Sequence, residues 1–316
     1  MRVTNKMLSN NFLRDMRSNL NNMNKLQGQM SSGKEIRKPS DDPFKASRIM
    51  QMYSDIDANK QYKSNIKDSI NWLDTTDTAL GQVGNVVGRI EELLVSAGNG
   101  AYGNNERAAI KDEINQRIGE ISQILNTSFD GKYVFGGTNG TIKPVETTTV
   151  DKNTLLVCDT SNANLKEKLF VEVSQGVTMD YNINAAQILN YSEDPTQNLM
   201  KLLSGITTHL DAKDPTDPNY ASDIKALTST DLAGIKGVMT NVLKLRSEVG
   251  AKQNRMESAE SRNVDLNFNI MEILSRTEDI DITEKVMEYA TMQTIYMASL
   301  QTSAKVLQPS LLDYLR

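Results

Sequence analysis

The closing stretch of the chain, Asp281 to Arg316, places Val286, Tyr289, Gln293, Tyr296, Leu300, Ser303 and Leu307 at alternating steps of three and four, then ends on Leu311, Leu312 and Leu315. That is the a/d spacing of a coiled-coil seam. A lone amphipathic helix cannot bury its own stripe, so this one requires a partner, in the same chain or on another copy. The opening stretch, Thr4 to Gln29, has the same need: Leu13, Met16, Leu20, Met23, Gln27 and Met30 repeat the rhythm. Gly33 then suits a left-handed C′ position that ends the helix. After an extended link through Pro39, Asp42 and Pro43 read as N-cap and first residue of the next helix.

From Phe44 to about Ala97 no proline or strong stop interrupts the chain. A helix of that span would be roughly 80 Å long. Its second half carries the seam Leu73, Thr76, Leu80, Val83, Val87, Ile90, Leu94 and Ala97. Gly81, Gly84 and Gly88 weaken it locally and permit close helix approach. A third helix, from Asn104 or Asn105 to about Ser128, carries Ile110, Ile114, Ile118, Ile121 and Leu125. From Asp231 the period returns through Ile235, Val238, Val242, Leu245, Val249, Lys252, Met256, Ala259, Asn263, Leu266, Ile270 and Ile273, and it breaks at Glu278–Asp281. A rhythm sustained over this many turns is a strong helical signal.

Between these helices the pattern changes. Tyr133–Phe135, Thr147–Val150, Leu155–Val157 and Leu169–Val173 are β-rich runs separated by Gly, Asn and Asp, which reads as a small inserted antiparallel β domain. A short helix is expected over Pro195–Leu210 and a loop over Lys213–Asn219. The fold class expected is therefore mainly α: a long antiparallel helical coiled-coil rod with a small β-rich insert. Its segments are a terminal helix and linker (1–43), the outgoing rod half (44–130), the insert (131–225), the returning rod half (226–279) and a closing helix (280–316). Outgoing and returning long helices bring both termini to one end, so the first and last helices can cover each other.

The formal charge of −5 gives no basic face for nucleic acid. With Cys158 the only cysteine, an intramolecular disulfide and a multi-thiolate zinc site are excluded, and the residue reads as a small apolar or surface cysteine. His209, the one histidine, reads as solvated. No run of about 18 apolar residues marks a membrane span, and the N-terminus lacks the apolar region of a cleavable signal peptide. Phosphate loops, nucleophile elbows and paired metal ligands are missing from the sequence. The Gly-rich Phe135–Gly140 run reads as a tight turn, Asp41–Asp42 as capping rather than a metal pair, and Glu278–Asp281 as a hinge rather than a cation site. No enzymatic activity and no cofactor is expected.

The segment Leu26–Ile36 followed by Pro39-Ser40-Asp41-Asp42-Pro43 resembles the "L-S-S-G-x-x-I…A-D-D" segment of bacterial flagellin. Leu245–Glu257 is similar to the flagellin C-terminal "R-x-x-L-G-A-x-Q-N-R" helix, and Glu278–Asp281 to its "E-D-A-D" break. The resemblance covers roughly residues 1–130 and 230–316. Within this superfamily, Gly131–Thr138 and the ending Leu307–Leu315 are closer to the branch that forms the hook–filament junction than to filament subunits. The alternative is a filament subunit; an adhesin or enzyme carried on the insert finds no supporting constellation of residues.

The resemblance implies export without a cleaved signal peptide to the extracellular flagellum, aided by an export chaperone. It also implies a ring of copies of this chain, with another hook-associated protein on the hook side, flagellin on the filament side, and neither nucleic acid nor membrane insertion. The terminal segments would be disordered in the monomer and pair into an inner coiled coil on assembly. Assembly contacts would then be Leu13, Met16, Leu20, Met23 and Met30 in the first helix, and Val286, Tyr289, Tyr296, Leu300, Leu307, Leu311 and Leu315 in the last. The rod seam would be Leu73, Leu80, Val83, Val87, Ile90 and Leu94 with Val242, Leu245, Val249 and Met256. Arg89–Leu94 resembles a flagellin segment seen by an innate immune receptor, but Ser96 and Ala97 depart from the pattern, so that recognition is not carried over.

Overall fold

In the computed structural model, residues 5–98, 103–160, 162–192, 197–211 and 220–306 are described. The loop expected at Lys213–Asn219, Pro195, and the seam positions Leu307, Leu311 and Leu315 lie outside them. The chain divides into two compact units, residues 60–264 and residues 1–59 with 265–316.

Three helices organise residues 60–264: the second part of α2 (Pro43–Ala97), α3 (Asn104–Leu125) and the first part of α8 (Leu232–Glu278). The seam expected on α2 is fully enclosed: Leu73, Thr76, Leu80, Val83, Val87, Ile90, Leu94 and Ala97 all have zero exposure. Val242, Leu245, Val249 and Met256 on α8 are buried in the same core. Arg246 donates to both carboxylate oxygens of Asp77, from Nε and Nη2 at 2.9 Å each, and Gln253 bonds Asp74. These pairs fix α2 and α8 antiparallel.

The segment between α3 and α8 forms three separate two-stranded hairpins among the described residues, rather than one sheet. They are β1 (Ser128–Phe129) with β2 (Lys132–Tyr133), β3 (Glu146–Val150) with β4 (Asn153–Val157), and β5 (Phe170–Ser174) with β6 (Val177–Asp180). Backbone chemistry sets two of the turns. Asp130 (φ 49°) with Gly131 (φ 73°), and Asp151 (φ 51°) with Lys152 (φ 65°), supply the paired positive φ that a two-residue hairpin loop of matching twist requires. The run Tyr133–Phe135 is not all strand. Val134 and Phe135 leave the ladder and are fully buried. At Gly137 (φ 62°) a β-carbon would stand 2.4 Å from the Asn164 carbonyl oxygen, so the Gly136-Gly137 turn locks this loop against α4 (Ala163–Lys166).

The insert has no core of its own. Phe135, Val145, Leu156, Ile188 and Leu203 belong to the same apolar cluster as the helices. Short helices α5 (Ala185–Leu189), α6 (Leu199–Leu210) and α7 (Tyr220–Ala226) complete the cover; α6 starts at Leu199, capped by Asn198. Asparagines do much of the stitching. Asn115 on α3 accepts from Thr154 N and donates to the Lys152 carbonyl, Asn126 pairs both ways with the Val145 backbone, and Asn241 on α8 reaches the Gln187 carbonyl. Each offers a donor and an acceptor that imitate a peptide group.

Ionic ties add to this. Lys252, expected in the α8 seam, is nearly buried and reaches Asp180 on β6 at 3.0 Å, while Lys168 reaches the same carboxylate at 2.9 Å. Burial alone would raise the Asp180 pKa, but hydrogen bonds from the two lysines outweigh it and hold the carboxyl down at about 2. His209 is not simply solvated. Its Nδ1 lies 2.7 Å from Asp231 Oδ2, a buried carboxylate in the π-helical turn Leu227–Asp231, where burial raises the Asp231 pKa. Cys158 is half-buried, and burial pushes its thiol up to about 11, which keeps it an unreactive thiol at neutral pH.

Two outcomes follow. Because the folded Asp180 pKa is depressed, its contribution is present above the ordinary carboxylate value of 3.8 and is lost as pH falls towards about 2. Acid titration followed by circular dichroism should show about 1–2 kcal/mol lost over that window, and Asp180→Asn should remove this component of the pH dependence. Secondly, a β-carbon at Gly84 would meet Val242 at an ordinary 3.7 Å, so Gly84→Ala should stabilise the helix. The gain expected is about 0.5–1 kcal/mol, a rise of roughly 1–4 °C in thermal midpoint.

Candidate assembly interface

The second unit holds both terminal helices, α1 (Asn5–Ser32) and α9 (Ile282–Val306), with the first part of α2 and the last part of α8. Two chain breaks meet there. Gly33 takes φ 69° and its N–H donates to the Gln29 carbonyl at 2.8 Å, ending α1 as expected for a left-handed cap. Its own carbonyl accepts from Ile280 N at 3.1 Å, and Glu35 N donates to the Glu278 carbonyl at 2.6 Å. Lys34 and Asp279 thus form a single antiparallel β-bridge that splices the end of α1 to the start of α9.

Side chains close the splice. Glu278 is 6 % exposed. One carboxylate oxygen accepts from Lys34 Nζ at 2.6 Å and the other from Tyr53 Oη at 2.6 Å, while Lys34 Nζ also bonds Tyr53 Oη at 2.9 Å. The hydrogen bond to Glu278 raises the Lys34 pKa, so the ammonium form is held throughout the neutral range. Ile49, Met52 and Ile56 of α2 pack on Leu274 of α8, with Ile36 beside them. Both aspartates of the 41–42 pair cap backbone amides: Asp41 accepts from Arg37 and Lys38, Asp42 from Phe44 and Lys45. Asp281 caps α9 through Thr283 and Glu284. Among the described residues no cluster of His, Cys, Asp or Glu is placed to hold a metal, and no helix is long and apolar enough to cross a membrane.

From the splice, α1 and α9 run antiparallel in contact. The less exposed side of α1 is Phe12, Met16, Asn19, Met23, Leu26 and Met30; that of α9 is Lys285, Tyr289, Met292, Tyr296, Ser299 and Ser303. Met16, Met23, Met30, Tyr289 and Tyr296 are positions read from the sequence. The others lie one residue aside from it: Leu13 is 50 % exposed, Leu20 43 %, Val286 44 % and Leu300 43 %. Their places within the pair are taken by Phe12, Asn19, Lys285 and Ser299, and Met292 takes that of Gln293. Met287, Ile295 and Met297 also remain exposed on α9. The same shift occurs on the last part of α8, where Leu266 and Ile273 face out and Leu274 is buried. Each terminal helix therefore carries apolar residues on a stripe wider than one partner covers. The doubled pattern, with Phe12 beside Leu13 and Met292 near Ile295, was the signal for two faces. The Lys34–Tyr53–Glu278 contact had none, since its members are far apart in sequence.

The geometry is that of an unfinished helix bundle, and the sequences of its helices match known families. Residues 3–140 match the bacterial flagellin N-terminal helical region, and residues 232–315 match the bacterial flagellin C-terminal helical region. The flagellar hook-associated protein 3 of Salmonella typhimurium is 24 % identical over 96 % of both chains. The flagellin of Bacillus subtilis is 25 % identical over 95 % of this chain and 94 % of its own. Among solved structures, a hook-associated protein from Vibrio parahaemolyticus superposes with a TM-score of 0.64 at 20 % identity, covering 76 % of this chain and all of that one. Hook-associated protein 3 from Legionella pneumophila gives 0.62 at 13 % identity, over 72 % of this chain and 98 % of its own.

The splice makes a direct test of how the terminal pair is held. Lys34→Met leaves the buried Glu278 carboxylate with Tyr53 alone, which should cost about 1–3 kcal/mol locally. Amide hydrogen exchange should quicken at Glu35 and Ile280 and along α9, with little change in the amides of α3.

Proposed function

Because this chain belongs to the bacterial flagellin family, we infer that it is a structural subunit of the flagellum that assembles as a ring at the hook–filament junction, joining hook-side protein to flagellin filament. The observation that carries the reading is the incomplete cover of α1 and α9. Leu13, Leu20, Val286 and Leu300 stay about half exposed in the single chain, and each would gain about 0.7–1.5 kcal/mol if neighbours buried the rest. That is the behaviour of a subunit whose packing is finished by other copies. The junction role rather than the filament role is supported by the Gly131–Thr138 turn and the ending Leu307–Leu315, whose sequences are closer to that branch.

The partners are further copies of this chain, a hook-associated protein on the hook side, flagellin on the filament side, and an export chaperone before assembly. The chain has a structural rather than an enzymatic role. The terminal segments 1–43 and 280–316 supply the inner contacts.

Two experiments test this. A strain lacking the chain should show, by electron microscopy, hooks without filaments and flagellin released to the medium; normal filaments would overturn the junction role. Leu300→Asp, at a site exposed in the single chain, should leave the circular dichroism and thermal midpoint within about 0.5 kcal/mol of the parent. It should abolish attachment to hooks, because the charge would be buried at each copy-to-copy contact. Attachment at normal levels would exclude this face from the interface.

A further inference from the structure

A cavity of about 730 Å³ opens within residues 60–264, between α2 and the hairpins β1–β2 and β5–β6. Its walls are aromatic. Trp72 stands edge-on to Phe129 and Tyr181, with ring centroids 6.0 and 5.8 Å away and interplanar angles of 85°. Phe170 lines it too and is 65 % exposed, a large ring left in water beside a concave surface. Polar residues of both senses line it as well: Asp68, Asp130, Lys132, Thr141 and Tyr181. None of these five side chains has a hydrogen-bond or ion-pair partner among the described residues.

The combination selects a ligand class. The size suits a small molecule or a short oligomer. An anion would meet two carboxylates and a cation would meet Lys132. An apolar side chain would strip water from all three charges and return no hydrogen bonds. A neutral ring bearing many hydroxyls conflicts with none of these: its C–H face lies on an exposed ring while its hydroxyls donate to the aspartates and accept from the lysine. We propose that this cavity binds a saccharide. The inference does not depend on the assembly role, since every wall belongs to one unit and none comes from α1 or α9.

Trp72 is the chain's one tryptophan and lines the cavity, so its fluorescence reports occupancy. The full chain is titrated with maltotriose, cellotriose and chitotriose, and separately with Nα-acetylarginine amide. The expected result is a saturable change with at least one trisaccharide, with a Kd on the order of millimolar. Phe170→Ala and Asp130→Asn, both at exposed positions, should each weaken it by about tenfold or more, while unchanged circular dichroism shows both folded. No saturable change with any of the three sugars would overturn the proposal. So would sugar binding unaffected by both substitutions, or a response to the arginine amide alone.

Discussion

The splice between Gly33–Glu35 and Glu278–Ile280 governs the terminal part of the molecule. Two backbone hydrogen bonds join segments that are distant in sequence, and the Glu278 carboxylate, shut away from water, is held by Lys34 and Tyr53. This fixes where α9 begins relative to the end of α1, and therefore which side chains of the two helices meet. A buried carboxylate is costly unless paired, so the arrangement tolerates few alternatives. Register along the pair follows from a handful of atoms at one end.

Much of this was legible in the chain. The Gly33 cap, the Asp42–Pro43 start of α2, the end of α2 at Ala97 and the break before α9 all follow from local rules about φ, missing amides and capping carboxylates. The α2 seam from Leu73 to Ala97 was readable because an enclosed helix has one apolar stripe and no freedom to show another. The terminal helices were harder. A strict three-four rhythm picks one line through a wide apolar arc, and the observed pairing took the line one residue over at Phe12, Leu26 and Met292. Spacing alone cannot decide between two stripes that share half their members.

The insert shows a different limit. Its β-rich runs were visible, but their division into three hairpins depends on turns such as Asp130–Gly131 and Asp151–Lys152, and their docking depends on asparagines that act on distant backbone. The buried apolar residues of the hairpins, Leu156, Val173 and Met179, belong to the helical core, which leaves too few to make an independent domain. Asparagine is in part the means by which irregular backbone is satisfied where no sheet continues.

The sideways shift of the terminal seam also divides the helices by duty. Leu13, Leu20, Val286 and Leu300 are the outward positions, Leu26 is buried, and Phe12, Met16, Met23, Tyr289, Met292 and Tyr296 are half-buried at the boundary between the two faces. A change at an outward position can be matched by a change on one neighbour; a change on the boundary must satisfy two neighbours at once. The boundary residues should therefore drift most slowly among related chains, with methionine suited to the place because its flexible thioether can adapt to both sides.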